Sequence, residues 1–210
     1  MAVEGVEWDH PELPALVMAG GRARRMGGVE KPAVKVLGEP MLVRVLRAVS
    51  ACPLVSRVYV VTTPRHELTR ELAESWGAKI LLTGGEGYVR DLREALSRSG
   101  APALTVGADL PALTPGLVER VIRLWAAAPD PSLSVWVPVR RVKRMGFSLW
   151  GRYQTEVAGV RAVPAGINVV GGVGETAERR VVIDDPRLAC NVNTATDLRR
   201  AEGVLNLWRS

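Results

Sequence analysis

Five short apolar runs punctuate the chain: ALVM from Ala15, VYVV from Val58, KILL from Lys79, ALTV from Ala103 and SVWV from Ser134. Runs of this length, rich in Val and Leu, predict strands buried on both faces. Between them the period changes. Met41 to Ala51 carries apolar positions broken by Arg44 and Arg47, His66 to Trp76 repeats Leu68, Leu72 and Trp76, and Leu117 to Trp125 repeats Leu117, Val121 and Leu124. Spacings of three and four residues put side chains on one face, so these stretches predict amphipathic helices. Thr63-Pro64 and Thr114-Pro115 predict two of the starts, because a threonine hydroxyl accepts from free first-turn amides and proline fits the first helical position. Val89, Leu92 and Leu96 mark another helix, and Thr194 with Asp197 predicts a capped final one.

Strand and helix alternate, which implies crossover connections and a three-layer α/β architecture of Rossmann-like type with a mainly parallel sheet. At 210 residues the chain suits one domain spanning 1–210. Residues 1–12 read as a loose extension, and the opening MAVEGVEWDHPELP carries acids and prolines where a secretory signal would need basic and then apolar residues. Residues 138–163 read as an irregular insertion or lid, with no helix before Gly171.

Composition narrows the function classes. No apolar run approaches the roughly 20 residues of a membrane span. The two cysteines, Cys52 and Cys190, have no metal-type spacing, so a cytoplasmic protein without a disulfide is expected. The formal charge of +6 suits anionic partners. With no aromatic-rich basic stretch and no helix-turn-helix cue, phosphorylated small molecules rank above nucleic acid.

The chemistry concentrates after the first strand. Ligands of an open parallel sheet bind outside the carboxyl ends of its strands, and Ala19-Gly20-Gly21 stands at that place. Glycines let backbone amides approach an anion, and Arg22, Arg24, Arg25, Lys31 and Lys35 crowd around them. A tight turn with surface arginines would have the same sequence. Neither a Walker A motif nor G-x-G-x-x-G occurs here, which disfavours P-loop kinases and NAD enzymes. Asp109, in VGADLPAL after the fourth strand, suits a Mg²⁺ ligand, since that ion needs only one or two carboxylates beside phosphate oxygens and water. It equally suits a turn cap.

Four segments carry a family resemblance: MAGGRARRMGGVEKP from Met18, GEGYVRDL from Gly85, PAGINVV from Pro164 and NVNTATDL from Asn191. The first resembles the signature of the MobA-like nucleotidyltransferase superfamily, whose fold is of the nucleotide-diphospho-sugar transferase type. The combination is most similar to the archaeal-type GTP:adenosylcobinamide-phosphate guanylyltransferases. The resemblance implies that Ala19, Gly20, Gly21, Arg22, Arg25 and Lys31 hold the GTP phosphates, and that Gly85 and Gly87 lie near the guanosine. It further implies Asp109 and Asn193 as Mg²⁺ ligands and Asn168 in the acceptor pocket; apart from the resemblance, Asp184 and Asp185 stay open as alternative metal ligands.

The implied reaction is attack of an acceptor phosphate oxygen on the α-phosphorus of GTP. A phosphate monoester is largely ionised at neutral pH, so no general base is needed. That agrees with a chain whose only histidines, His10 and His66, lie outside any motif. Arg25, Lys31 and Asp109 with Mg²⁺ are the expected catalytic groups. The acceptor is expected to be a phosphorylated corrinoid, with molybdopterin or a sugar phosphate as the alternative. A non-catalytic nucleotide-binding regulatory module is the alternative of another class. The run Arg140 to Arg144 reads as a solvated loop or an acceptor-recruiting patch, and Trp136, Phe147, Trp150 and Tyr153 as core or as cover for a large ring. Base specificity and oligomeric state, a homodimer included, stay open.

Overall fold

All five apolar runs become strands of one sheet. The computed structural model describes residues 12–20, 29–149, 153–174 and 177–208. In chain order its elements are β1 (Leu13–Met18), β2 (Lys35–Val36), β3 (Glu39–Pro40), α1 (Met41–Ser50), β4 (Val55–Thr62), α2 (Glu67–Trp76), β5 (Lys79–Leu82) and α3 (Tyr88–Ser99). There follow β6 (Ala103–Gly107), α4 (Pro115–Ala126), β7 (Ser132–Pro138), α5 (Val139–Arg144), β8 (Thr155–Val157), β9 (Val160–Val170), β10 (Glu178–Val182), α6 (Pro186–Ala189) and α7 (Ala195–Leu207). The main sheet has eight strands in the order β10-β7-β9-β6-β1-β4-β5, with β8 beside β9. Within the main sheet β9 alone of the described strands is reversed, running against β6, β7 and β8, and β2 with β3 forms a separate antiparallel pair.

Side-chain alternation in β1 explains the three layers. Ala15 and Val17 face a large core shared with α1, α4 and Ala73 of α2, while Leu16 faces a smaller one with Ala95 and Leu96 of α3. Leu16 and Val17 are fully buried, each contributing about 1.5–3 kcal/mol by leaving water. Two cysteines lie buried as free thiols, and burial pushes Cys190 up to about 12. No helix among the described residues is long and apolar enough to cross a membrane.

The predicted helix starts fare differently. Thr114 accepts from the Leu117 amide at 3.4 Å with Pro115 at the first position of α4, and Thr194 and Asp197 form a reciprocal capping box on α7. Thr63 does not start α2. Residues 64 and 65 form a turn, α2 begins at Glu67, and its N-cap His66 makes no side-chain cap bond. The buried stripe of α2 is Thr69 and Ala73, leaving Leu68 39% exposed. A helix also stands where the pattern predicts none: α5 buries Val139 and Val142, too short a stripe to register as a period. Val160–Val170, partly read as insertion, enters the sheet between β6 and β7.

Candidate active site

Four parallel strands, β5, β4, β1 and β6, end along one edge, and backbone bonds lace their loops together. The Ala19 amide donates to Val61 O at 2.8 Å, Thr83 N to Thr62 O at 2.9 Å, and Ala108 N to Met18 O at 3.2 Å. The chain proceeds from β1 outward to β4 and β5, then returns to β6 on the other side. The order therefore reverses between β1 and β6, and such a switch opens a crevice where ligands bind. Gly20 and Asp109 stand on its two sides.

Gly20 has a steric reason beside any ligand. A Cβ there would lie 3.0 Å from Thr62 Cα and 3.4 Å from Thr63 Cγ2, too close for the backbone to keep its place. Gly85, at φ +70°, would meet the same Thr63 methyl at 3.0 Å. Thr63 thus sits wedged between the two glycine loops.

Across the crevice, side chains from three segments meet. Lys31 opens a 3-10 turn, Lys31–Ala33, and its Nζ donates to Asp109 Oδ2 at 2.7 Å and Asn193 Oδ1 at 2.8 Å. Asn191 Nδ2 donates to Asp109 Oδ1 at 3.2 Å, and Asn193 Nδ2 donates to Asn191 Oδ1. A carboxylate oxygen and an amide oxygen therefore converge on one cationic nitrogen. The ion pair is partly shielded, with the Lys31 side chain 19% and that of Asp109 26% exposed. Among the described residues no cluster of three or more His, Cys, Asp or Glu exists to cage a metal by protein alone.

Backbone geometry fixes these groups. The Val192 amide donates to Asp109 O at 3.0 Å, stitching the segment before α7 to the loop after β6. Asp197, fully buried, accepts from the amides of Asn193 at 3.0 Å and Thr194 at 2.9 Å, from the Thr194 hydroxyl at 2.9 Å, and from Ser148 N at 2.7 Å. Gly107 leaves the necessary room and Gly166 supplies a backbone turn. A Cβ on Gly107 would stand 2.7 Å from Asp109 Oδ1, while Gly166, at φ +83°, holds a left-handed backbone beside Asn191 that side chains rarely adopt.

Lys31, Asp109 and Asn193, far apart in sequence, are thus brought together. Gly21, Arg22, Arg24 and Arg25 lie outside the described residues. Gly85 and Gly87 belong to the loop before α3, Gly87 at φ +118° as its N-cap. That loop's amides are engaged internally: the buried Asp91 carboxylate accepts from Gly85 N at 2.9 Å and Glu86 N at 3.3 Å.

Asn168 lies on β9 between Thr105 and Ser134, its Oδ1 accepting from Val135 N at 3.3 Å where β7 shifts register. Tyr88 reaches the same place. The residue is half exposed, yet desolvation pushes its phenol up, with hydrogen bonding to Thr105 and Asn168 opposing this and the Asp109 charge adding to it.

The alternative acids are committed elsewhere. Asp184 accepts from Arg140 at 2.8 Å and Arg141 at 2.5 Å; the Arg141 hydrogen bond above all holds its carboxyl below the usual range. Asp185 caps α6 by accepting from Arg187 N at 2.8 Å. The basic run is consequently helix α5, with two of its arginines paired to Asp184. Phe147 is core, and Trp136 is buried beneath Arg180 and the edge of an exposed Tyr153; Trp150 lies outside the described residues.

Sequence reasoning missed Glu30, Tyr88, Asp91 and Asn191 as parts of this edge. Glu30 accepts from Leu68 N at 3.2 Å, Thr69 N at 2.9 Å and the Thr69 hydroxyl at 2.5 Å. Burial works against its charge, but the Thr69 and Leu68 bonds prevail and hold its carboxyl below the ordinary value. Asn191 was visible as one of four asparagines in the chain, two residues from Asn193.

Known proteins share this arrangement of sequence and fold. The MobA-like NTP transferase domain matches residues 15–188. The chain belongs to the MobA-like NTP transferase family. Among relatives of this transferase, the adenosylcobinamide-phosphate guanylyltransferase of Methanocaldococcus jannaschii is 32% identical over 92% of this chain and 97% of its own. A molybdenum cofactor guanylyltransferase of Shewanella putrefaciens is 32% identical over 52% of this chain and 55% of its own. The fold matches a solved CMP:2-keto-3-deoxy-manno-octonic acid synthetase with TM-score 0.67 and 15% identity, covering 94% of this chain and 99% of that one. The mainly parallel α/β architecture expected from strand–helix alternation, and the nucleotide-diphospho-sugar transferase type implied by the resemblance, are both present.

Proposed function

We propose that this transferase moves GMP from GTP to the phosphate of adenosylcobinamide phosphate, giving adenosylcobinamide-GDP and pyrophosphate. The observation that carries the reading is the convergence of Lys31, Asp109 and Asn193 at the crevice between β1 and β6, in a chain related over nearly its whole length to a protein of that name.

An acceptor phosphate oxygen bonds to the α-phosphorus as the bond to the bridging oxygen of the β-phosphate breaks, and the electron pair leaves with pyrophosphate. The nucleophile needs no proton removed at neutral pH. The residues' task is to align the two oxygens and to offset charge on the transferred group. Lys31 supplies an ammonium at the crevice, within reach of the phosphates, and Arg25 is assigned a second cation. Ala19, Gly20, Gly21 and Arg22 are assigned to the phosphates, and Gly85 and Gly87 to the nucleoside. Asn168, held beside Tyr88, is assigned to the acceptor side.

Asp109 Oδ2 and Asn193 Oδ1, which accept from Lys31 Nζ here, would hold Mg²⁺ once that ammonium turns to the phosphates. The donor set fits: both are hard oxygens that already converge on a cation, and Mg²⁺ takes its remaining ligands from phosphate and water. When bound, the ion supplies neutralisation of charge on the phosphates and the leaving pyrophosphate. We place the reaction in the cytoplasm, in keeping with two unpaired thiols.

Molybdopterin is the second acceptor considered, on the strength of the partial match to the Shewanella protein. One assay separates the readings: pyrophosphate release from each of four nucleoside triphosphates with Mg²⁺, against corrinoid, molybdopterin and sugar-phosphate acceptors. Release with GTP and the corrinoid alone, lost in Lys31→Ala with GTP affinity largely kept, is the expected result. Tight GTP binding without release for any acceptor overturns the proposal in favour of a binding module.

A further inference from the structure

Helix α2 is capped from outside. Its first free amides include those of Leu68 and Thr69, the second and third helical positions, and the N-cap residue His66 offers them no side-chain bond. The acceptor is instead the Glu30 carboxylate, with Oε1 on Leu68 N at 3.2 Å and Oε2 on both Thr69 N at 2.9 Å and Thr69 Oγ1 at 2.5 Å. A carboxylate at this end also meets the positive pole of the helix. Thr69 is fully buried, so the anchoring point is a fixed part of the core.

The residue after this anchor is Lys31. Glu30 also starts the turn that presents it: Glu30 O accepts from Ala33 N at 2.9 Å, and Lys31 O from Val34 N at 3.2 Å. Thus the side chain of Glu30 is fixed to α2, its carbonyl closes the turn, and the next side chain spans the crevice to Asp109 and Asn193. The entry to α2 touches the other loops as well. His66 Nδ1 lies 2.8 Å from Thr63 Oγ1, and the Thr63 methyl is wedged against Gly20 and Gly85.

We propose that Glu30 is a positioning residue for Lys31: by capping α2 in trans it fixes the turn that aims Lys31 at Asp109 and Asn193. The role rests on the guanylyltransferase reading above, in which Lys31 acts at the transferred phosphate. A capping role alone would affect only the stability of α2. Positioning requires that catalysis and the order of the Lys31 turn depend on Glu30 even when α2 has another cap.

The experiment compares wild type, Glu30→Ala, Glu30→Gln and the double variant Glu30→Ala/His66→Asp, in which an aspartate at the N-cap gives α2 a local acceptor. For each, kcat and KM for GTP, the Tm, and amide hydrogen exchange at Ala33 and Val34 are measured. Glu30→Ala is expected to lower kcat at least tenfold with KM changed less than about threefold. It should also speed exchange at Ala33 and Val34 about tenfold or more by opening the turn. Glu30→Gln, which keeps one acceptor oxygen for Thr69, should recover part of both. The double variant should keep the low kcat and fast exchange, whatever its Tm. Wild-type kcat in Glu30→Ala, or recovery of kcat and exchange protection together in the double variant, overturns the proposal. A wild-type chain that transfers no GMP refutes the proposed function instead. In that case the exchange arm still decides the tether: unchanged protection at Ala33 and Val34 in Glu30→Ala overturns it.

Discussion

Replacing Asp197 by asparagine tests how the site is held from behind. In the native chain one carboxylate oxygen accepts from the Asn193 amide, the Thr194 amide and the Thr194 hydroxyl at 2.9–3.0 Å, while the other accepts from Ser148 N at 2.7 Å. Asparagine retains one acceptor oxygen. Turned toward Asn193 and Thr194, where three donors wait, it leaves its NH₂ facing the Ser148 amide, donor against donor. A hydrogen bond to a charged group contributes about 1.5–3 kcal/mol, and a partly buried amide without a partner costs about 1–3 kcal/mol. The remaining bonds weaken as the acceptor loses its charge. Allowing for overlap between these terms, we expect a loss near 3 kcal/mol. For a chain of 210 residues that corresponds to a Tm lowered by about 6–12 °C. Scanning calorimetry of the two proteins at neutral pH measures it. Because the same carboxylate fixes Asn193, kcat should fall as well, even at temperatures where the variant remains folded. A Tm within about 2 °C of wild type would refute the reasoning, since it would mean that the four donors find other acceptors at no cost.

Two further perturbations address other parts of the edge. Gly107→Ala introduces a Cβ 2.7 Å from Asp109 Oδ1, so the carboxylate must turn away from Asn191; turnover should fall about ten- to hundredfold with little change in Tm, and steady-state kinetics showing a native kcat would contradict the placement. Asp184, held by Arg141 and Arg140, has a pKa below its ordinary 3.8. A lowered carboxylate pKa adds stability that is present above that ordinary value and disappears as pH falls through the folded-state one. The Tm gap between wild type and Asp184→Asn should therefore persist from neutral pH down to about 3.8 and close below it, and a gap that widens with acid would refute the pairing.

Strand order follows partly from the sequence. The runs at Ala15, Val58, Lys79 and Ala103 alternate with helical periods, and crossover handedness leaves few ways to stack them. What the pattern does not hold is the reversal of β9, because direction within a sheet depends on pairing partners that Val160–Val170 meets only after folding. The same limit explains α2. A Thr-Pro pair is a sound local start signal, yet its cap comes from Glu30, some 38 residues earlier, and no local rule reaches that far.

The sequence by itself determined the kinds of group present and the strands that carry them: an apolar sheet, glycines at a strand end, a lysine, one acid after the fourth strand and asparagines near the C-terminus. Those are properties of period and local chemistry, written within a few residues of one another. Only the tertiary structure decided which groups share a site. It joined Lys31 to Asp109 and Asn193, 78 and 162 residues away, paired Asp184 with Arg140 and Arg141, and gave the amides of Gly85 and Glu86 to Asp91. The reason is physical: a hydrogen bond extends about 3 Å in space, and distance along the chain does not constrain it.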